Sequence, residues 1–184
     1  MFKDLQDECM ANKKSELCEN KVDNLIEQIV EKAISYVGVE EYNGRKNDVV
    51  FNTDYYGKNV TGLEYPWCVV FLWDIFRLCD SSPAFYDAKR VDECVQLYDW
   101  GIKDNLTVEL SAAKRGDIVL FDWDATGIPE HVGLFLSHMD DDYIRTVEGC
   151  TSNEDNSANT VMIKQRKSDL VYAVIRPEWD KVVY

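Results

Sequence analysis

Histidine and long hydrophobic runs are scarce in this chain. Its 184 residues include two histidines, and no apolar stretch reaches the ~20 residues that a membrane-spanning helix needs. The first residues, from Met1 to Glu8, also lack the basic region and apolar core of a secretory signal peptide. We therefore expect a protein that is made in the cytoplasm without a signal peptide and that has no membrane partner.

Closely spaced cysteines are absent as well, although the chain has six cysteines. Without a C-x-x-C pair, a metal site built from cysteine and histidine is not expected. Disulfide frameworks are typical of smaller secreted domains, so we predict free thiols. The sequence therefore predicts neither a metal nor a cofactor. The cysteines are Cys9, Cys18, Cys68, Cys79, Cys94 and Cys150.

Positive charge is also in short supply. Twenty Lys and Arg residues stand against 34 Asp and Glu residues, which gives a net charge of −14. A chain this acidic repels the phosphates of nucleic acids and anionic membranes, so we exclude nucleic acid as a partner. Solubility alone is an equally good explanation of the charge.

The chain is predicted to hold one domain preceded by a short extension. Residues 1–20 are polar and are expected to form an N-terminal arm, and residues 21–184 are expected to form a single domain. A helical stripe of apolar residues runs from Val22 to Val37 and is closed by Gly38.

The two halves of the domain differ in their hydrophobic period. Residues 38–64 predict a long loop, and helices are expected over 68–79 and 92–100. Strands follow, with loops at 122–130 and 151–159. This order predicts an α+β fold with N-terminal helices packed on an antiparallel sheet. The predicted strands are Asp117–Phe121, His131–Ser137, Tyr143–Glu148, Thr160–Lys164 and Val171–Arg176.

One cysteine lies near the start of an almost wholly apolar segment that runs from Tyr65 to Trp73. Pro66 suits the first position of a helix, which would put Cys68 in the first turn. There, free backbone N–H groups and the positive end of the helix dipole favour the thiolate. The alternative is that Cys68 is one more small buried apolar residue.

Strand pairing selects a histidine for this cysteine. A turn centred on residues 139–140 places His131 opposite Glu148, with Cβ atoms ~5 Å apart on one face. Cys150 keeps that face if the strand continues. His138 has the opposite parity and is interpreted as a solvated turn residue. A slip in register would change the pairing.

Cysteine, histidine and carboxylate form the constellation needed for nucleophilic acyl transfer. Cys68 would supply the thiolate, His131 would hold its proton, and Glu148 would orient the imidazole. The helix start also offers N–H donors for an oxyanion. The alternative interpretation of His131 and Glu148 is an ordinary cross-strand pair on a polar face.

Four segments in this order resemble the CHAP domain (cysteine, histidine-dependent amidohydrolase/peptidase) of the papain-like NlpC/P60 group, phage endolysin type. The resemblance spans roughly residues 22–177 and implies a nucleophile at Cys68, a general base at His131 and an orienting acid at Glu148. It departs from the family at Cys150, where asparagine is frequent, and Cys150 is predicted to modulate the site. The segments are Tyr-Pro-Trp-Cys-Val-Val-Phe-Leu-Trp (65–73), Gly-Asp-Ile-Val-Leu-Phe-Asp-Trp-Asp (116–124), His-Val-Gly-Leu-Phe (131–135) and Val-Glu-Gly-Cys-Thr-Ser-Asn (147–153).

The resemblance implies hydrolysis of an amide bond in bacterial peptidoglycan, at the cell wall, through a cysteine acyl-enzyme. Tyr65, Trp67 and Trp123 are then expected to contact the substrate. Because no wall-binding module is visible, a separate targeting subunit or self-association is expected. Which amide bond is cut does not follow, because amidases and endopeptidases of the family share the three residues.

Some CHAP domains carry a structural calcium ion in the loop before the cysteine. In this chain that loop offers Asp48, Asp54 and Glu64, which are too sparse for an oxygen cage. A second acidic stretch, residues 122–124, lacks further ligands after it. A calcium ion is therefore the alternative to the expected absence of a cofactor.

Two other functions fit the same residues. One is a papain-like cysteine protease or deamidase effector, which would modify a protein and leave peptidoglycan intact. The other is a non-catalytic wall-binding or assembly protein, which an unreactive Cys68 would indicate.

Overall fold

The computed structural model describes residues 2–140, 142–152 and 159–183, and its description of side chains begins at residue 17. Most of the predicted loop at 151–159 lies outside the described residues. Within the described part, no helix is long and apolar enough to cross a membrane. The five cysteines whose side chains are described are free thiols.

The helices are set by where apolar side chains can be buried. In the first helix, the predicted stripe buries Ile29, Val30 and Ala33 completely. The helix begins at Phe2, so it continues across the boundary drawn between residues 20 and 21. The helices of the described chain are α1 (Phe2–Ser35), α2 (Val50–Tyr56), α3 (Cys68–Leu78), α4 (Cys94–Lys103) and α5 (Asp180–Val183).

The prediction of one long loop over 38–64 is wrong, because α2 lies inside it. The segment is mostly polar, but Phe51 and Tyr55 are spaced one helical turn apart and both are buried, which is the helical signal that the prediction missed. Asn52 is buried between them and donates hydrogen bonds to the carbonyl oxygens of Asn47, at 2.7 Å, and Tyr65, at 2.9 Å. The amide therefore ties the loop in front of α3 to α2.

Six strands in the described residues form one antiparallel sheet, with the order β1-β6-β2-β3-β4-β5. Helices followed by an antiparallel sheet confirm the predicted α+β class. The short first strand was not expected from the sequence. The strands are β1 (Thr107–Val108), β2 (Ile118–Phe121), β3 (His131–Asp140), β4 (Tyr143–Thr151), β5 (Thr160–Lys167) and β6 (Val171–Ile175).

The sheet buries apolar side chains on both faces. Val132 and Leu134 of β3 join the main core, which also contains α1 and α3. Phe135 belongs to a second, smaller cluster with Val119 and Phe121. Because side chains alternate along a strand, His131 faces the same side as Phe135. His131 is also the first residue of β3, so it lies at the end of the strand.

The predicted register of the β3–β4 hairpin is wrong by two residues. Leu134 pairs with Val147 and Phe135 with Thr146, and the hairpin closes at the pair between Asp140 and Tyr143. Irregularities between Phe135 and Asp140 absorb extra residues of β3 and move the turn along the chain. Around Leu134 and Phe135 the shift is two residues, so the side chains there keep their predicted face, and each irregularity beyond Phe135 adds one further residue.

Candidate active site

Cys68 is the first residue of α3, and Trp67 is its N-cap. Pro66 therefore precedes the helix, which corrects its predicted place at the first helical position. Cys68 is nevertheless in the first turn, as predicted, and only 6% of its surface is exposed. Its surroundings include the N–H groups of the first turn, which have no partners within the helix.

Gly149 lets β4 approach the start of α3 closely. A Cβ atom at this position would lie 2.6 Å from Cβ of Phe71 and 2.8 Å from Cζ3 of Trp67. Only a residue without a side chain fits between strand and helix. The glycine of the Glu-Gly-Cys segment thus positions the helix that carries Cys68.

His131 and Glu148 meet as the sequence predicts, although they are not directly opposite each other. Nε2 of His131 lies 2.9 Å from Oε2 of Glu148, and the Glu148 side chain is completely buried. Gly133 makes room for the contact, because a Cβ atom there would lie 2.8 Å from Cγ of Glu148. The hydroxyl of Thr146 donates to Oε1 of Glu148 at 2.6 Å.

The hydrogen bond with Glu148 determines which histidine nitrogen faces the thiol. Nε2 of His131 donates to the carboxylate, which is acceptor-only when ionised. His131 also interacts with Cys68, and Nδ1 is the nitrogen left to exchange a proton with the thiol. The three side chains therefore form a continuous path from thiol to carboxylate.

The charges along this path support one another. Burial lowers the pKa of His131, but hydrogen bonds with Cys68 and Glu148 outweigh it and raise that pKa to about 9. Burial raises the pKa of Glu148, yet Arg166 and then His131 hold it at about 2. Glu148 is therefore a carboxylate at neutral pH, and it favours the imidazolium form of His131.

The thiol itself is less activated than the helix start alone predicts. A hydrogen bond with Cys94, followed by burial, raises the pKa of Cys68, while His131 acts in the opposite direction. Cys94 is the first residue of α4 and is also buried. The Cys68 thiolate is therefore favoured as a pair with the imidazolium of His131, which counteracts the effects of Cys94 and of burial.

Cys150 lies near Cys68 but not in the regular strand that the sequence predicts. Its φ of 56° is left-handed, and the pairing of β4 with β5 is irregular after Glu148. Its Sγ is 3.9 Å from Oδ1 of Asn47 and 3.7 Å from Nδ2 of Asn159. Burial, and then the charge of Cys68, raise its pKa to about 12. Cys150 is thus a neutral thiol beside the site.

Arg166 of β5 contacts the site and was not predicted to do so. Its Nε lies 2.9 Å from Oε1 of Glu148 and its Nη2 lies 2.5 Å from Oε2. Its guanidinium also lies 4.8 Å from the ring centroid of Trp123. The sequence gives no local signal for this contact, because Arg166 pairs along the sheet with Ile144 and not with Glu148.

The three aromatic residues predicted to contact substrate have different surroundings. Trp123 is 39% exposed and its ring centroid lies 5.7 Å from that of His131, so it borders the site. Tyr65 is partly exposed and packs edge-on against Tyr56. Trp67 is completely buried and donates to Glu41, which makes it a core residue and contradicts a place on the cleft wall.

His138 lies in β3 and not in the turn, which corrects its predicted place. It is exposed and packs against Phe135, with ring centroids 4.9 Å apart. His131 is therefore the histidine next to Cys68.

The acidic residues considered for calcium do not come together before Cys68. Asp48 pairs with Arg45 at 2.6 Å and Asp54 pairs with Arg77 at 3.0 Å, so both carboxylates already have a cation. In the described chain, ligand atoms of three carboxylates lie within 4.8 Å of one another in two places. These groups are Asp122, Asp124 and Glu130, and Asp87, Asp104 and Glu178.

Similarity to known proteins is found in structure and not in sequence. No family model matches the sequence, and no curated protein sequence is significantly similar to it. Among solved structures, the peptidoglycan hydrolase RipB from Mycobacterium tuberculosis matches 85% of this chain with a TM-score of 0.50 and 18% identity. A variant of RipA, a resuscitation promoting factor interacting protein, matches 85% with a TM-score of 0.50 and 14% identity.

The chain spans 66% of the RipB chain and 63% of the RipA chain, so it covers less than two thirds of each. A P60 domain from M. avium paratuberculosis is similar at a TM-score of 0.48, which is too weak to support an inference. The first two matches show that this chain shares the α+β, papain-like fold of RipB and RipA. This confirms the fold class that the sequence predicts.

Proposed function

We propose that this protein hydrolyses an amide bond of bacterial peptidoglycan through an acyl-enzyme on Cys68. One observation carries the proposal: Nε2 of His131 lies 2.9 Å from Oε2 of the buried Glu148, and His131 also interacts with Cys68 at the start of α3. The fold gives further support, because RipB, a peptidoglycan hydrolase, shares it. Thiol, imidazole and water supply all the chemistry, so we propose that no cofactor takes part.

In the acylation step, Cys68 reacts as the thiolate of its ion pair with His131, in which Nδ1 of the imidazolium holds the thiol proton, and the thiolate attacks the amide carbonyl carbon. Backbone N–H groups at the start of α3 stabilise the oxyanion. The C–N bond then breaks as the imidazolium gives its proton to the leaving amine. A thioester and a free amine result, with His131 neutral.

In the deacylation step, neutral His131 takes a proton from water, and the hydroxide attacks the thioester. The C–S bond breaks, the carboxylic acid leaves, and the proton returns to Cys68. His131 must therefore gain and lose its proton in each half of the cycle. Glu148 holds the imidazole in the tautomer that both steps need.

Within the NlpC/P60 type, we propose that the chain is CHAP-like and of the phage endolysin kind. The support is the order of the four sequence segments and the pairing of a glutamate with His131. The proposed place of action is the bacterial cell wall. Targeting there is proposed to come from a separate subunit or from self-association.

Digestion of purified peptidoglycan tests the function. Wild-type protein is expected to release new carboxyl and amine ends, which mass spectrometry locates to one amide bond. Cys68→Ala is expected to release none, because Cys68 is the thiol that interacts with His131 among the described residues. Intact peptidoglycan together with a modified protein substrate would favour the effector function, and equal digestion by Cys68→Ala would contradict the mechanism.

A further inference from the structure

Arg166 lies on β5, an edge strand of the sheet. Its Nε and Nη2 each donate a hydrogen bond to one carboxylate oxygen of Glu148. Its Nη2 also donates to the hydroxyl of Thr151 at 3.1 Å. A bidentate contact of this kind fixes the carboxylate plane as well as its position. The plane matters because Oε2 of Glu148 is the atom that accepts the hydrogen bond from His131.

Glu148 has no exposed side-chain surface, so its charge needs a cation. Two candidates touch it, His131 and Arg166. The charge of His131 comes and goes in the proposed cycle, whereas a guanidinium stays protonated at all relevant pH values. Arg166 therefore balances Glu148 at the moments when His131 is neutral.

Without that cation, the neutral form of His131 would leave a buried carboxylate uncompensated. The site would avoid this by keeping the proton on His131, since that is the remaining positive charge in contact with Glu148. An imidazole that retains its proton is a poor base for water. Arg166 would then be needed for the deacylation step in particular.

We propose that Arg166 is a positioning residue of the hydrolase, which balances the charge of Glu148 so that His131 can release its proton. The proposal rests on the proposed function of the site. Arg166 acts through Glu148 and is not itself in contact with the reacting thiol.

The position of Arg166 is braced by Trp123. The guanidinium lies 4.8 Å from the Trp123 ring centroid, and that ring lies 5.7 Å from the His131 ring. A planar guanidinium stacks on an aromatic face, which a lysine ammonium does less well. One tryptophan therefore packs against both the histidine and the arginine that share Glu148.

The other titratable groups around His131 are few in the described part of the chain. Cys68 comes from α3 and Glu148 from β4, and Cys94 of α4 and Cys150 of β4 lie beyond Cys68. None of these groups carries a permanent positive charge, so replacing Arg166 removes the permanent positive charge that pairs with Glu148.

The test compares Arg166→Gln and Arg166→Lys with the same substitutions at Arg176. Arg176 forms an equivalent fork with Asp117, which contacts no histidine. The pKa of His131 is measured by NMR in the full chain labelled with ¹⁵N-histidine. The dependence of kcat on pH is measured with solubilised peptidoglycan.

We expect Arg166→Gln to raise the pKa of His131 and to lower kcat at neutral pH by about 10- to 100-fold. Part of the lost kcat should return as the pH rises, because His131 then loses its proton. Arg166→Lys should keep the His131 pKa near that of the wild type, since it keeps the charge. The Arg176 variants should leave the pKa and the pH profile unchanged.

An unchanged pKa of His131 in Arg166→Gln would overturn the proposal. A kcat that falls equally at every pH would also overturn it, because that result indicates a merely structural role. If Arg166→Gln does not fold, a His131 pKa in Arg166→Lys that differs from the wild type would overturn it instead. The NMR titration needs no substrate, so it stays informative even if peptidoglycan proves not to be the substrate.

Discussion

Two buried carboxylates in this protein are each held by one arginine fork, and only one of them also contacts a histidine. Arg166 holds Glu148 with distances of 2.9 and 2.5 Å, and Arg176 holds Asp117 with distances of 3.1 and 2.8 Å. Both carboxylate side chains are at most 2% exposed. The same pairing of charges thus occurs twice, once between strands β4 and β5 and once just outside the ends of β2 and β6.

The partners that remain differ between the two forks. Asp117 accepts the backbone N–H of Lys114 at 2.7 Å, and Arg176 also donates to the carbonyl oxygen of Ala112. This fork ties the turn before β2 to the chain after β6, which is a structural task. Glu148 instead accepts a hydrogen bond from His131. A buried ion pair thus acquires a chemical role when a third, titratable group shares it.

The largest predicted contrast comes from neutralising each carboxylate in turn. Glu148→Gln should lower kcat/KM by about 10²- to 10⁴-fold, because His131 loses the partner that sets its tautomer and charge. Asp117→Asn should leave kcat/KM of the folded protein near that of the wild type. It should instead lower the free energy of unfolding by about 1–3 kcal/mol. Steady-state kinetics measure kcat/KM and urea unfolding measures the free energy of unfolding of each variant. Equal losses of kcat/KM in the two variants would contradict the different roles of Glu148 and Asp117.

The same pair of variants should differ in how stability depends on pH. The folded-state pKa of His131 is raised to about 9 from an ordinary value of 6.5. The stability it contributes is therefore fully present below pH 6.5 and is lost as the pH rises through 9. Glu148→Gln should weaken that alkaline loss, and Asp117→Asn should not. The midpoints of urea unfolding between pH 6 and 10 measure this loss of stability. Identical pH dependence in Glu148→Gln and Asp117→Asn would contradict the contact between His131 and Glu148.

Much of the site could be predicted because it depends on local sequence and on strand parity. Cys68 begins a helix as its apolar segment predicts. His131 and Glu148 share a face despite the register shift, because the shift is even. The alternation of side chains along a strand was therefore enough to predict that His131 and Glu148 share a face. The length of the turn, which sets the register, could not be predicted from the sequence.

The contacts that were missed cross between distant segments. Cys94 reaches Cys68 from the start of α4, and Arg166 reaches Glu148 from β5, where its backbone partner is Ile144. Trp67 looks like a cleft residue in its motif, yet packing against Phe51 buries it. These two contacts and the burial of Trp67 depend on tertiary packing, and a single sequence has no pattern that predicts tertiary packing.

A smaller effect on the reactivity of Cys68 is expected from its neighbour Cys94. Cys94→Ala removes the hydrogen bond that raises the pKa of Cys68, so more thiolate should form at a given pH. The rate of Cys68 alkylation by iodoacetamide at neutral pH should rise about three- to tenfold. Cys79→Ala is the control, since Cys79 contacts the carbonyl oxygen of Gln28 instead. An unchanged rate in Cys94→Ala would show that Cys94 does not restrain the nucleophile.

The most direct test of the proton path from Cys68 to Glu148 is the NMR titration of the two histidines of the chain. We predict that His131 titrates at about 9 in the wild type and at lower pH in Cys68→Ala and in Glu148→Gln. A His131 that titrates near 6.5 in the wild type and in both variants would contradict the account.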